Sequence, residues 1–228
     1  MKIVFPLLFA CLGFFTSCSN TYVRLMELKT DNKAIDSNTF VFDNDTMTIV
    51  YNFYGEGPGI GVSIYNKLNL PLYVDWSRSS VIVGTNIFSY WRPGYERYEE
   101  KSGFIPPRTT ISKGGSFNLS TNMRVVPMQR QHYIKMKFGN YDSIKIKEAS
   151  FSKVNSPGVF RNYLTFSVDS KFEHEFHLDH EFWISDMKDM KEMYFEGVAP
   201  ADYGNVENTY PFKKPNRFFI KYDPQDGL

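Results

Sequence analysis

The chain has 228 residues, 42% hydrophobic and 22% charged, enough apolar material for one large folded unit or two small ones. Twenty-six Lys and Arg residues stand against twenty-five Asp and Glu, so no net field attracts nucleic acid or an anionic lipid surface. Aromatic residues reach 17%, with 21 Phe and 15 Tyr, types that suit half-buried pleated strands.

Lys2 and the apolar run Ile3–Phe15 read as a secretory signal. The run is shorter than the roughly 20 apolar residues of a spanning helix. It ends at Phe15-Thr16-Ser17-Cys18, an apolar residue and two small ones before a cysteine, which resembles the lipobox of bacterial lipoproteins. That resemblance implies removal of a signal peptide over 1–17, a diacylglycerol thioether on Cys18 and a lipidated tether over 18–21. The alternative is an ordinary cleaved signal with an incidental cysteine. Cys11 falls in the removed segment and Cys18 is taken by the lipid, so the mature chain is expected to fold without a disulfide. Ser19, Asn20, Thr21 and Tyr22 follow, without the acidic run that resembles a surface-export signal. The expected address is therefore the periplasmic face of the outer membrane, held by lipid and not by a spanning segment.

From residue 22 the chain reads as strands. Tyr22–Lys29 is the first. Thr39–Phe42 and Thr46–Tyr54 flank Asp43-Asn44-Asp45 as a hairpin. Gly55-Glu-Gly-Pro-Gly-Ile-Gly61 is rich in glycine, but its spacing is not G-x-G-x-x-G, and a strand follows where a phosphate loop needs a helix. It reads as a hairpin connection. In Ile60–Trp91, Leu72, Val74 and Trp76 alternate with Tyr73 and Asp75, which assigns Trp76 to the core and Asp75 to the opposite face. Asp75, Trp76 and Arg78 are therefore not expected to converge.

The words NKLNLPLYVDWSRSSVIV from Asn66, IPPRT at Ile105–Thr109 and FRNYLTFSV at Phe160–Val168 resemble hypothetical lipoproteins of Bacteroidota. The resemblance covers most of the mature chain. It implies an exported, lipid-anchored β protein and defines no chemistry.

Ser89–Phe104 reads as a long loop with aromatics among charges, and Tyr90, Trp91, Tyr95 and Tyr98 form a candidate surface for a glycan or protein partner. The alternative is that these rings pack back onto the end of the fold. Pro106-Pro107 leads into a strand at Arg108–Ile111, and Gly114-Gly115 reads as a turn. Further strands are expected within His132–Lys137, Ser143–Ser150, Phe160–Val168, Lys171–Ile184 and Arg217–Tyr222. Ser185–Glu196 reads as a short helix, with Ser185 as N-cap and a core stripe of Met187, Met190 and Tyr194; a continued strand is the alternative.

Three of the four histidines fall in Phe172-Glu-His-Glu-Phe-His-Leu-Asp-His-Glu-Phe182. On a strand His174 and His180 share the face of Phe172, Phe176 and Phe182, whereas His177 joins the acids opposite, so the three do not converge on one ion. No H-E-x-x-H, G-x-S-x-G or Walker loop is present. No metal, cofactor or catalytic residue is assigned.

These readings add up to an all-β, mostly antiparallel sandwich, immunoglobulin-like or related, with at most one short helix. A single β-rich domain over 22–228 is expected, two β domains split near 150 being the alternative. The expected function is non-enzymatic: an envelope lipoprotein that binds a protein or glycan partner. The competing expectation is an extracytoplasmic hydrolase acting on envelope or dietary glycan.

Overall fold

The computed structural model describes residues 21–32, 39–94, 100–138, 141–196 and 212–224. The signal segment 1–17, Cys18, Tyr95 and Tyr98 lie outside them. The strands are β1 (Tyr22–Lys29), β2 (Val41–Asp43), β3 (Met47–Asn52), β4 (Gly59–Asn66), β5 (Leu72–Val83), β6 (Asn86–Ser89), β7 (Ser102–Ile105) and β8 (Thr110–Ser116). A 3-10 turn at Met123–Val125 precedes β9 (Arg130–Phe138), β10 (Tyr141–Ser150), β11 (Val159–Ser167) and β12 (Glu175–Lys191). One helix, α1 (Glu192–Glu196), and β13 (Arg217–Tyr222) follow.

Two antiparallel sheets result, in a sandwich-like arrangement of the expected class. The smaller has the order β2-β3-β4-β8. The nine-stranded one runs β13-β1-β12-β11-β5-β6, with β7 beside the first part of β5 and β10-β9 beside the last part of β12. Strands from before and after residue 150 share this sheet, since β5 pairs with β11 and β1 with both β12 and β13.

Period-two alternation builds the core. Met47, Ile49 and Tyr51 on β3 and Ile60, Val62 and Ile64 on β4 are buried, and they meet Leu72, Val74 and Trp76 on β5 and Leu164 and Phe166 on β11. Phe40, Phe53, Phe160 and Phe182 gather at its centre, the Phe53 and Phe182 rings 5.0 Å apart and edge to face. Each such pair adds about 0.5–1.5 kcal/mol beyond the area it buries.

β1 and β12 are more apolar than a one-sided strand needs because both of their faces are covered. Met26 and Leu28 pack into the main core, while Val23 and Leu25 join Ile144, Ile146, Met190, Phe195 and Phe212 in a second cluster. The register of β1 against β12 skips Ser185, a bulge that leaves Leu28 opposite Ile184 and Glu27 opposite Asp186. Phe182 and Ile184 face the main core before the bulge and Met187 after it, so the inward parity changes from even to odd.

That bulge corrects the helix expected over Ser185–Glu196. The strand continues to Lys191 and only Glu192–Glu196 is helical. Met187 and Met190 stand on opposite faces of a strand, in different cores, and do not form a helical stripe. Pairing on both edges, with β1 and with β10, overrides the local helix signals. Gly114 and Gly115 also differ from expectation: they lie inside β8, opposite Gly61 and Ile60. Among the described residues no helix is long and apolar enough to cross a membrane.

Candidate functional site

The aromatic loop turns inward where it is described. Tyr90 is 3% exposed, its hydroxyl donates to Asn162 Oδ1 at 2.8 Å, and its ring lies 5.6 Å from Trp76. Gly115 makes room for it, since a Cβ there would sit 2.8 Å from Tyr90 Cε1. Tyr90 is a core residue and offers no face to a ligand. Trp91 is half-buried against the main core, with Lys101 Nζ 4.9 Å from its ring centroid and its buried Nε1 without a hydrogen-bond partner among the described residues. Its two companions from the sequence, Tyr95 and Tyr98, are outside the described residues.

One exposed and two half-buried rings gather elsewhere, on the outer face of the larger sheet. Tyr73 on β5 is registered with Phe104 on β7, their centroids 5.6 Å apart, and Phe104 is 54% exposed. Phe172, in the connection from β11 to β12, brings a third ring 6.5 Å from Tyr73. Phe172 has φ +58, a left-handed conformation that costs a non-glycine residue about 1–2 kcal/mol. Asp169 holds the turn by accepting N–H bonds from Lys171, Glu173 and His174. The Glu173 N–H, with the Ser167 hydroxyl and His174, outweighs burial and keeps the Asp169 carboxyl well below the usual carboxylate range.

Charged groups border the rings. The Arg78 guanidinium lies 5.2 Å from the Phe172 centroid and donates to Asp75 at 2.6 Å and Glu175 at 2.7 Å. The bonds to Glu175 and Asp75 raise the Arg78 pKa. Burial works against the charge on Asp75, but hydrogen bonds from Ser77 and Arg78 outweigh it and lower the carboxyl's pKa. Of the three neighbours Asp75, Trp76 and Arg78, the two charged ones do meet, because residues 76–79 bulge between the pairings of Thr165 with Asp75 and Tyr163 with Ser80. Trp76 stays in the core. Further along this face the rings of Tyr163 and His177 stack 5.2 Å apart.

The histidines of the 172–182 segment separate. His174 lies beside Asp169, His177 is on the outer face, and His180 is 8% exposed on the inner side. No group of three or more His, Cys, Asp or Glu among the described residues is placed to hold a metal ion. His180 stacks on Phe42 at 3.9 Å and closes a buried polar chain. Tyr90 donates to Asn162, Asn162 Nδ2 donates to the Tyr51 hydroxyl at 3.0 Å, and Tyr51 Oη lies 2.8 Å from His180 Nδ1. With Tyr51 already accepting from Asn162, its own proton goes to Nδ1, which leaves the imidazole proton on Nε2. Burial lowers the His180 pKa to about 4. The ring also lines a pocket of about 150 Å³ with Phe42, Met47, Ile49 and Leu178.

A larger cleft, about 430 Å³, opens near Arg24, Asp189 and Tyr222. Arg24 pairs bidentately with Asp189 at 2.6 and 2.7 Å, and its Nη1 donates to the carbonyls of Met123 and Val126. Tyr222 donates its hydroxyl to the same carboxylate at 2.9 Å. Four of the five N–H donors of this guanidinium fork are engaged within the fold, so the group is a clamp between strands and loop.

Tyr73 was readable as an outward residue beside Asp75, but Phe104 and Phe172 carry no local signal. They reach it only through the pairing of β7 with β5 and through the Asp169 turn. No family model matches the chain, and no curated protein or solved structure matches it either.

Proposed function

We propose that this chain is a lipid-anchored extracytoplasmic β-sandwich protein of the bacterial envelope that binds a partner without catalysing a reaction. The signal-like segment 1–17 and Cys18 support an outer-membrane lipoprotein, and Ser19–Tyr22, without an acidic run, favour its periplasmic face. The ridge of Phe104, Tyr73 and Phe172 beside Arg78 and Glu175 is the observation that favours binding. Aromatic faces take the C–H surface of a sugar ring, and a guanidinium with carboxylates takes its hydroxyls, so a glycan is the partner best matched. A hydrolytic acid needs a carboxyl whose pKa is raised toward the working pH. Asp75 departs in the other direction, and its charge is committed to Arg78.

Affinity electrophoresis through gels containing neutral and acidic polysaccharides tests the binding. The wild-type chain is expected to be retarded by at least one of them, and Tyr73→Ala with Phe104→Ala to lose that retardation. Equal retardation of both forms, or none of the wild type, overturns the ridge as a glycan platform. For the address, Cys18→Ala is expected to move the protein from the membrane to the soluble fraction of expressing cells, and a variant that stays with the membrane removes the anchor.

A further inference from the structure

The sandwich is finished differently on its two sides. On one side β5 leads through β6 and β7 into β8, so the chain itself links the larger sheet to the smaller. On the other, the smaller sheet ends at β2, only three residues long, and the larger ends at the first half of β12. β1 covers β12 only from Trp183 onward. Beside Glu175–Phe182 no strand is paired on this edge among the described residues.

The direction of the unpaired groups follows from the ladders. Thr165 N–H points toward β5, where it donates to Ser79 Oγ, so the even residues of β11 bond β12, and their partners on β12 are even as well. The odd residues of β12 therefore direct N–H and C=O outward. Glu181 does so: its N–H donates to Asn32 Oδ1 and its carbonyl accepts from Thr30 Oγ1. The corresponding groups of Glu175, His177 and Asp179 have no partner among the described residues. A row of donors and acceptors at every second residue is matched by one kind of ligand, an extended main chain.

The side chains beside this edge describe that ligand further. The pocket of about 150 Å³ lies at this opening, lined by Phe42, Asp43, Asn44, Met47 and Ile49 from β2, β3 and their turn and by Asn32, Leu178 and His180 beside them. An inward residue of an added strand would enter it, a ring meeting Phe42, Met47, Ile49 and Leu178 and a polar tip meeting Asn32, Asp43 or Asn44. The rim is acidic. Asp43, Glu175 and Asp179 are paired with Lys67, Arg78 and Arg161, but Asp45 and Glu173 have no cationic partner among the described residues.

We propose that the β2/β12 side is a strand-acceptor edge, which takes an extended, lysine-bearing segment of a partner protein as an added strand with one aromatic side chain in the pocket beside His180. This surface meets the aromatic ridge at Glu175, whose outward main chain it uses, and it does not rest on the ridge's binding a glycan.

The probe is a short synthetic peptide in which Lys and Thr alternate with Val around a central Tyr, compared with a copy N-methylated at alternate amides and with a scrambled copy. Fluorescence anisotropy reads affinity, and amide hydrogen exchange of the protein reads the site. The alternating peptide is expected to bind, to slow exchange at Glu175, His177 and Asp179, and to weaken at least about tenfold on N-methylation. His177→Pro removes an N–H unbonded among the described residues and is expected to keep the circular dichroism of the parent while losing the peptide, whereas His177→Ala, which removes the same ring from Tyr163 and Thr165 but keeps the N–H, is expected to retain it. Absence of protection at these three amides under saturating peptide overturns the proposal, as does binding that survives N-methylation. Concentration-dependent dimerisation that protects the same amides without peptide would assign the edge to a second copy of the chain and also overturns it.

Discussion

Replacing Asp189 by Asn tests the clamp that joins β1, β12, β13 and the 122–129 segment. Arg24 and Asp189 are 4% and 5% exposed, so the substitution leaves a guanidinium buried without its counter-charge. Breaking such a pair costs about 3–5 kcal/mol. Two bonds from Nη1, to the Met123 and Val126 carbonyls, survive and place the expected loss near the lower end, about 3 kcal/mol. For a chain of this size each kcal/mol lowers Tm by roughly 2–4 °C, so a fall of about 6–12 °C is expected in calorimetry. Urea unfolding followed by tryptophan fluorescence should show the same loss as a lower midpoint with an unchanged slope. The double variant Arg24→Met, Asp189→Leu removes both charges at once and should recover more than half of the lost stability. A single variant that loses less than about 1 kcal/mol would put the pair among exposed ones and refute the reasoning. A double variant as unstable as the single one would refute it equally.

Stability should also depend on His180. Burial lowers its folded pKa to about 4, against about 6.5 for an unperturbed ring, so between these values the unfolded chain binds a proton that the folded chain refuses. Its contribution is therefore complete above about pH 6.5, declines as pH falls toward 4, and is constant below, for a total of about 3 kcal/mol. A His180 ring whose NMR shifts titrate near pH 6.5 in the folded protein would contradict this. At Gly115, Ala places a methyl 2.8 Å from a Tyr90 ring held by Asn162, and a loss of about 1–3 kcal/mol in urea unfolding is expected. Gly114→Ala has open space around the new methyl, and a loss there equal to that at Gly115 would show that steric fit is not the cause.

The strands legible in the sequence are those with one wet face. Leu72, Val74 and Trp76 against Tyr73 and Asp75 give both the strand and its orientation, because only one side of β5 meets the core. β12 hides its second half for the opposite reason. Once both faces and both edges are covered, alternation no longer separates apolar from polar, and a bulge at Ser185 shifts the parity that remains. Met187 and Met190 then fall at a helical spacing by accident of the two cores they serve. The misplacement of Gly114-Gly115 has a similar origin: the residue that requires Gly115 is Tyr90, on a different strand connection. For Tyr90 the sequence leaves a surface ring and a ring packed back onto the fold both open, since its partner Asn162 is 72 residues away and nothing local decides between them.

One hairpin connection links the two candidate surfaces. Asp169 gathers the N–H groups of Lys171, Glu173 and His174, and this winding forces Phe172 into the left-handed region. The strained residue thereby delivers its ring to Tyr73 and Arg78 on the outer face. The same winding starts β12 at Glu175, one strand beyond β11 and ahead of the β1 pairing, which among the described residues begins at Trp183. Glu175 serves on both sides of this geometry, its carboxylate bound to Arg78 at the ridge and its outward main chain at the head of the open edge. Backbone strain of about 1–2 kcal/mol at Phe172 is thus retained where it places an aromatic ring beside a strand edge that is unpaired among the described residues. A sandwich needing only stability would be served by glycine at that position, and phenylalanine there is better explained by what its ring meets.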